Sequence, residues 1–209
     1  MATAPGLTVA DYQKLIEGMV WKTGTTEQVY VLSGVSWPDY EALLARWGDE
    51  APALLKFTEG QLEIMAPSRR HETGKKMLAL LLETYFLERN IRFYPLGSLT
   101  LRREGLQKGV EPDECYCLHQ RRDIPDLAIE VVVTSGGVDS LTIYQDLGVR
   151  EVWFWQAERL TVYVLGAEGY VQSPQSGLLP DLDLATLAHY GAWEEPFDAV
   201  LAFREQLRR

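Results

Sequence analysis

Residues 111–139 read EPDECYCLHQRRDIPDLAIEVVVTSGGVD, and their pattern decides the fold. DLAIEVVVT (126–134) is almost wholly apolar, the mark of a central strand covered on both faces rather than a half-exposed one. EPDECYCL (111–118) reads as its neighbour, joined to it through HQRRDIPD, a loop rich in turn residues. Glu111, Asp113, Asp126 and Glu130 stand beside these apolar runs, where an unpaired carboxylate is costly. After Gly136 and Gly137, which permit a sharp turn, VDSLTIYQDL (138–147) predicts a short helix capped by Gly148, and EVWFWQ (151–156) begins another strand. A helical connection of about ten residues makes the two strands parallel, in a βαβ unit of right-handed sense.

Upstream, TVADYQKLIEGM (8–19) predicts an amphipathic helix, VYVL (29–32) a short strand, and WPDYEALLARW (37–47) a helix with Tyr40, Leu43, Leu44 and Trp47 on one stripe. ALLKFTEGQLEIMAP (53–67) is a hairpin turning at Thr58 to Gly60. Ser68 is placed to cap a long helix through HETGKKMLALLLETYFLER (71–89), whose apolar face comprises Leu78, Leu81, Leu82 and Tyr85. IRFYPLGSLTLRR (91–103) follows as a strand broken by Pro95 and Gly97. Beyond 156, RLTVYVL and YVQSP extend the sheet as a meander, and EEPFDAVLAFREQLRR predicts a closing helix. The order at the centre is αβββαβ, within an α/β fold built on a mixed sheet. We expect a single domain over 1–209 with its core at about 68–156, preceded by a helical and hairpin extension and followed by strands and a helix.

Composition bounds the function. With 209 residues, 46% hydrophobic and 24% charged, the chain supports a substantial core. MATAPGLTVA has no basic-then-apolar leader, and MLALLLETYF is too short to span a bilayer, so a cytoplasmic protein without membrane association is expected. Cys115 and Cys117 lack the second Cys/His pair that a zinc site requires and read as small core residues. The net charge of -10 excludes general attraction to nucleic acid, so such binding has to be local. The candidate basic doublets are Arg69–Arg70 with Lys75–Lys76, Arg102–Arg103 and Arg121–Arg122, each equally readable as solvated surface.

Glu130 alone reads as an edge residue or a member of a core ion pair. Asp113, on the adjoining strand, turns it into one of two close carboxylates, which repel unless a proton or cation is shared. Oxygen ligands with water completing the shell suit Mg²⁺ or Mn²⁺. TSGGVDS is neither G-x-G-x-x-G nor a phosphate loop, which argues against nucleotide binding. Trp153 and Trp155 read as core, Asp126 as a turn residue and Glu111 as exposed.

The order αβββαβ, Pro112-Asp113, and an acid 17 positions later in a buried strand resemble the PD-(D/E)XK, or restriction-endonuclease-like, nuclease superfamily. EPDECYCL, PDLAIEVV, TSGGVD and LGVREVWFW resemble, more closely, its Uma-two (Uma2) family of predicted endonucleases. The resemblance spans roughly residues 20–170. It implies that Asp113 and Glu130 are ligands of Mg²⁺ or Mn²⁺, that His71 and Glu72 lie beside them as catalytic residues, and that the chain hydrolyses phosphodiesters with metal-activated water. The implied partner is nucleic acid, DNA before RNA, and a homodimer would suit cutting of two strands.

The chain departs from that pattern. The signature lysine position is Val132, and the alternative position on the following helix is Ser140. Lys75 and Gln145 are the substitutes the sequence offers, although Lys75 is expected to face water and His71 could be merely a residue of the helix's first turn. Glu72 has a plain reading as the i, i+4 partner of Lys76. Two other functions therefore stand beside the nuclease: a catalytically silent nucleic-acid-binding or regulatory module of the same fold, and a hydrolase of small phosphoesters.

Overall fold

The computed structural model describes residues 28–48, 51–133 and 138–209. Strands β1 (Gln28–Ser33), β2 (Leu54–Thr58), β3 (Gln61–Ala66), β5 (Leu101–Arg103) and β6 (Lys108–Val110) form an antiparallel sheet in the order β1-β3-β2-β6-β5. Strands β4 (Phe93–Pro95), β7 (Glu114–Leu118), β8 (Leu127–Val132), β9 (Glu151–Gln156), β10 (Arg159–Gly166) and β11 (Gly169–Ser173) form a second sheet ordered β11-β10-β9-β8-β7-β4. That sheet is mixed, because β8 runs parallel to β9 while its other pairings are antiparallel.

The helices are α1 (Trp37–Trp47), α2 (Arg69–Glu88), α3 (Ser140–Leu147), α4 (Leu184–Gly191) and α5 (Pro196–Leu207). Ser36 and Asp39 form a capping box at the start of α1, and Ser68 caps α2 by accepting the His71 N–H at 3.1 Å. Asp139 caps α3, which ends at Gly148 in the left-handed region. The apolar face of α2, with Leu78, Leu81, Leu82 and Tyr85, packs on Leu127, Ile129 and Val131 of β8, and α4 and α5 complete that layer. Ile143, Tyr144 and Leu147 of α3 pack on Ala128 from the other face. Strand β8 is thus covered on both sides, as its unbroken apolar sequence requires.

The β2–β3 hairpin turns through Glu59 and Gly60, both at positive φ, the geometry that suits the right-handed twist of paired strands. Its register sends Leu55, Phe57, Leu62 and Ile64 to one face, where Trp37, Tyr40 and Leu43 of α1 bury them. The opposite face carries Lys56 directly across from Glu63, and both are drawn into the molecule.

The segment 91–103, read as one interrupted strand, belongs to two sheets. Pro95 ends β4, Gly97 takes a positive φ of 60°, and the chain crosses to pair β5 with β6 in the other sheet. Strand β6 and helix α4 were not expected from sequence; β6 has only three residues, and α4 lies in a stretch where Pro174, Gly177 and Pro180 break the periodicity. Cys115 and Cys117 are buried free thiols. The helix expected at 8–19 and the turn at Gly136–Gly137 lie outside the described residues.

Gly109 of β6 lies directly against Tyr40 of α1. A Cβ there would stand 2.2 Å from the Tyr40 hydroxyl oxygen, and Tyr40 is fully buried with its ring stacked 5.0 Å from Phe57. Gly109→Ala is expected to cost about 1–3 kcal/mol through overpacking, read as a lowered urea midpoint with an unchanged m-value.

Candidate active site

Asp113 is fixed by the strand next to it. Its backbone N–H donates to the Ile129 carbonyl at 3.1 Å, while its Oδ2 accepts the Val131 N–H at 2.6 Å. These bonds straddle Glu130, so the two carboxylates predicted as a pair are neighbours in space. His71, fully buried on the first turn of α2, places Nε2 3.1 Å from the same Oδ2. The second oxygen, Oδ1, is buried and has no hydrogen-bond partner among the described residues.

Glu130 is held from the other face. Tyr144 of α3 donates its hydroxyl to Oε1 at 2.6 Å, and Lys56 of the hairpin donates to Oε2 at 3.0 Å. Lys56 also stands 3.6 Å from Glu63, whose Oε2 accepts the Val138 N–H at 2.7 Å. Burial raises the pKa of Glu130, Lys56 counteracts this, and Asp113 raises it further. Burial, then Glu130, push the Tyr144 hydroxyl well above its ordinary value. Burial opposes the Lys56 charge, but Glu130, Glu63 and Asp113 outweigh it and keep the ammonium protonated above its usual range.

Around His71 a second set of charges assembles. Glu72 lies 3.8 Å from His71 Nδ1 and 3.0 Å from Lys75 Nζ. Its carboxyl is held down to about 2, first by His71 and then, against partial burial, by Lys75. The four residues proposed from sequence, Asp113, Glu130, His71 and Glu72, therefore come together along one path.

Several readings need correction. Lys75 does not face water freely; its side chain is only 13% exposed and it, not Lys76, pairs with Glu72 across i, i+3. Lys76 reaches instead to Glu114 at 3.1 Å. Glu111 is buried, accepting the Leu55 N–H and the Thr100 hydroxyl, and so ties β2 to the residue that precedes β5 within the first sheet. Asp126 keeps its reading as the turn residue before β8, and is buried there, pinning its loop through the Leu118 N–H and the guanidinium groups of Arg122 and Arg150. Arg102 pairs with Glu41 and Arg121 lies over the Tyr94 ring, whereas Arg69 and Arg70 stand exposed. Gln145 is on the outer side of α3, toward Gly169, away from Glu130.

Lys56 and Glu63 were missed. Their signal was available in the hairpin: once its turn is set at Glu59-Gly60, the two charges fall directly opposite on a face otherwise carrying Leu54 and Met65. A cavity of about 390 Å³ opens beside them, lined among others by Lys56, Glu63, Glu130, Val132 and Ser140. Asp113, sealed from solvent, does not line it.

The charge balance suits a divalent cation. Asp113, Glu130 and Glu63 face the Lys56 ammonium and the His71 imidazole in a largely buried site, and the Oδ1 of Asp113, which has no hydrogen-bond partner among the described residues, is a hard donor. Among the described residues no three His, Cys, Asp or Glu side chains converge as a ready-made cage.

The profile of the Uma2 family, described as "Putative restriction endonuclease", matches residues 37–194, more than half of the chain. No curated protein matches it. Among solved structures the chain is similar to the crystal structure of a "putative nuclease belonging to DUF820" from Anabaena variabilis ATCC 29413, with 13% identity and a TM-score of 0.49, covering 74% of this chain and 99% of the other. No described helix is long and apolar enough to cross a membrane.

The Tyr144–Glu130 bond can be tested by stability. Tyr144→Phe leaves a buried carboxylate oxygen without its donor and is expected to cost about 1–3 kcal/mol in a urea melt. The loss should shrink when Glu130→Gln is already present, as for two residues that interact.

Proposed function

The chain belongs to the Uma2 family, and from that membership and the Asp113–Glu130 pair we propose that it is a divalent-metal-dependent nuclease that hydrolyses phosphodiester bonds. The observation that carries the reading is the buried Oδ1 of Asp113, unpartnered among the described residues, next to a second carboxylate whose position is fixed from two sides. Asp113 and Glu130 would hold Mg²⁺ or Mn²⁺, reached from the cavity past Glu130 and Lys56. Such an ion supplies Lewis acidity toward the phosphate and a nucleophilic water at neutral pH.

The chain's own residues prepare the site. The Val131 N–H and His71 occupy Oδ2 of Asp113, so that Oδ1 is the oxygen left to bind. Tyr144 fixes the rotamer of Glu130, which lowers the reorganisation needed when the site fills. Glu72 and Lys75 set the electrostatic surroundings of His71, a side chain suited to hold or release a proton near neutrality. The family's description as a restriction endonuclease supports DNA before RNA as substrate. One such site cuts one strand, so duplex cleavage favours a homodimer. With a net charge of -10, contact with the polymer is local and weakens with salt.

The test combines metal binding with turnover. Mn²⁺ at about 100 times its Kd should add about 2.7 kcal/mol to stability. Asp113→Asn keeps an acceptor for the Val131 N–H but replaces the second oxygen with an amide, so it should remove most of that gain and the cleavage of DNA in Mg²⁺ or Mn²⁺. An undiminished Mn²⁺ response in Asp113→Asn would refute this site. DNA binding without cleavage by the wild type would instead favour the silent binding module, the reading encouraged by Val132 and Ser140 standing where lysine is expected.

A further inference from the structure

The two positions at which a lysine was expected, 132 and 140, both line the 390 Å³ cavity, and both lack a charge. Lys56 lines the same cavity. It comes from the first sheet, 74 residues before Glu130 in sequence, and puts Nζ 3.0 Å from Glu130 Oε2. Its side chain remains 13% exposed, so the ammonium is neither sealed in the core nor spread on the surface. Glu130 and Glu63 hold it there, and a divalent ion binding to Glu130 would release part of that hold and leave an ammonium free to meet a phosphate.

We propose that Lys56 is the catalytic cation of this site, delivered by the β2–β3 hairpin to the place that Val132 and Ser140 leave uncharged. This deepens the nuclease reading and rests on it. Lys56 donates to a non-bridging oxygen of the scissile phosphate and offsets the charge that grows there as water attacks and the leaving oxygen departs. The hairpin is therefore part of the active site. Its Lys56–Glu63 pair aims the ammonium, since Glu63 is anchored in turn by the Val138 N–H.

The experiment compares the wild type with Lys56→Met, Lys56→Arg and the double variant Lys56→Met with Ser140→Lys. Each is assayed for DNA cleavage in Mg²⁺ and Mn²⁺, and for its preference for a charged phosphorothioate-linked dinucleotide over the neutral methylphosphonate analogue in the presence of Mn²⁺. Lys56→Met is expected to slow cleavage by about 10²–10³ and to lose about tenfold of the charged-over-neutral preference. Ser140→Lys should restore a large part of both, because its side chain enters the same cavity. Lys56→Arg, which retains the ion pairs, should keep the wild-type Tm yet cleave more slowly, since a planar guanidinium does not place its charge as a lysine does; it carries the test if Lys56→Met does not fold. Unchanged rate and unchanged preference in the Lys56 variants would overturn the proposal and leave Lys56 as a structural counter-ion. If the wild type cleaves nothing but its preference for the charged dinucleotide still follows Lys56 and returns with Ser140→Lys, the nuclease reading falls while the phosphate-facing role of Lys56 stands.

Discussion

Two hydrogen bonds from Asp113 to the strand beside it organise the rest of the molecule. By bonding to the residues before and after Glu130, Asp113 fixes the register of β7 on β8 at the point where both carry a buried charge. A slip of one residue would send every side chain of β8 to the wrong face. It would also part Glu130 from Tyr144 and Lys56. The same bonds that close the sheet thus set the spacing of the carboxylates, and an isolated buried carboxylate is tolerable only because each has donors on the surrounding elements.

Those donors come from different layers. His71 serves Asp113 from α2 and the Val131 N–H from β8, whereas Tyr144 and Lys56 serve Glu130 from α3 and the first sheet. Breaking a buried charge pair by removing one partner typically costs about 3–5 kcal/mol, while the intact pair contributes little net stability. The arrangement is better understood as positioning than as glue. It holds charged groups, in defined rotamers, around a cavity that a purely apolar packing would have filled.

Much of this was legible in the sequence, for identifiable reasons. The apolar run 126–134 marks the central strand, the Pro112-Asp113 and Glu130 pattern marks two carboxylates that are buried side by side, and Ser68 and Gly148 mark helix ends whose caps are present in the structure. Lys56 and Glu63 were not found because the resemblance directs attention to the strand and helix after Asp113, while their partner, Glu130, is far away in the chain. Glu111 was misjudged for a related reason. Proximity to proline suggests a turn, but whether a turn residue is exposed depends on which strand packs over it, and that is tertiary information.

The crossing of the chain from β4 to β5 at Pro95–Gly97, and its return from β6 to Asp113, has a kinetic consequence. Both sheets depend on this excursion, and the bond between Lys56 and Glu130 closes across 74 residues of sequence. Contacts of such long range reward the chain only after its loop-closure entropy has been spent, so they form late relative to the hairpin and α2, whose contacts are local. The constellation has no local precursor. During synthesis, the hairpin and α2 emerge from the ribosome without the strand that completes the site, and the chain acquires its charged centre only once residues on both sides of the crossing have docked.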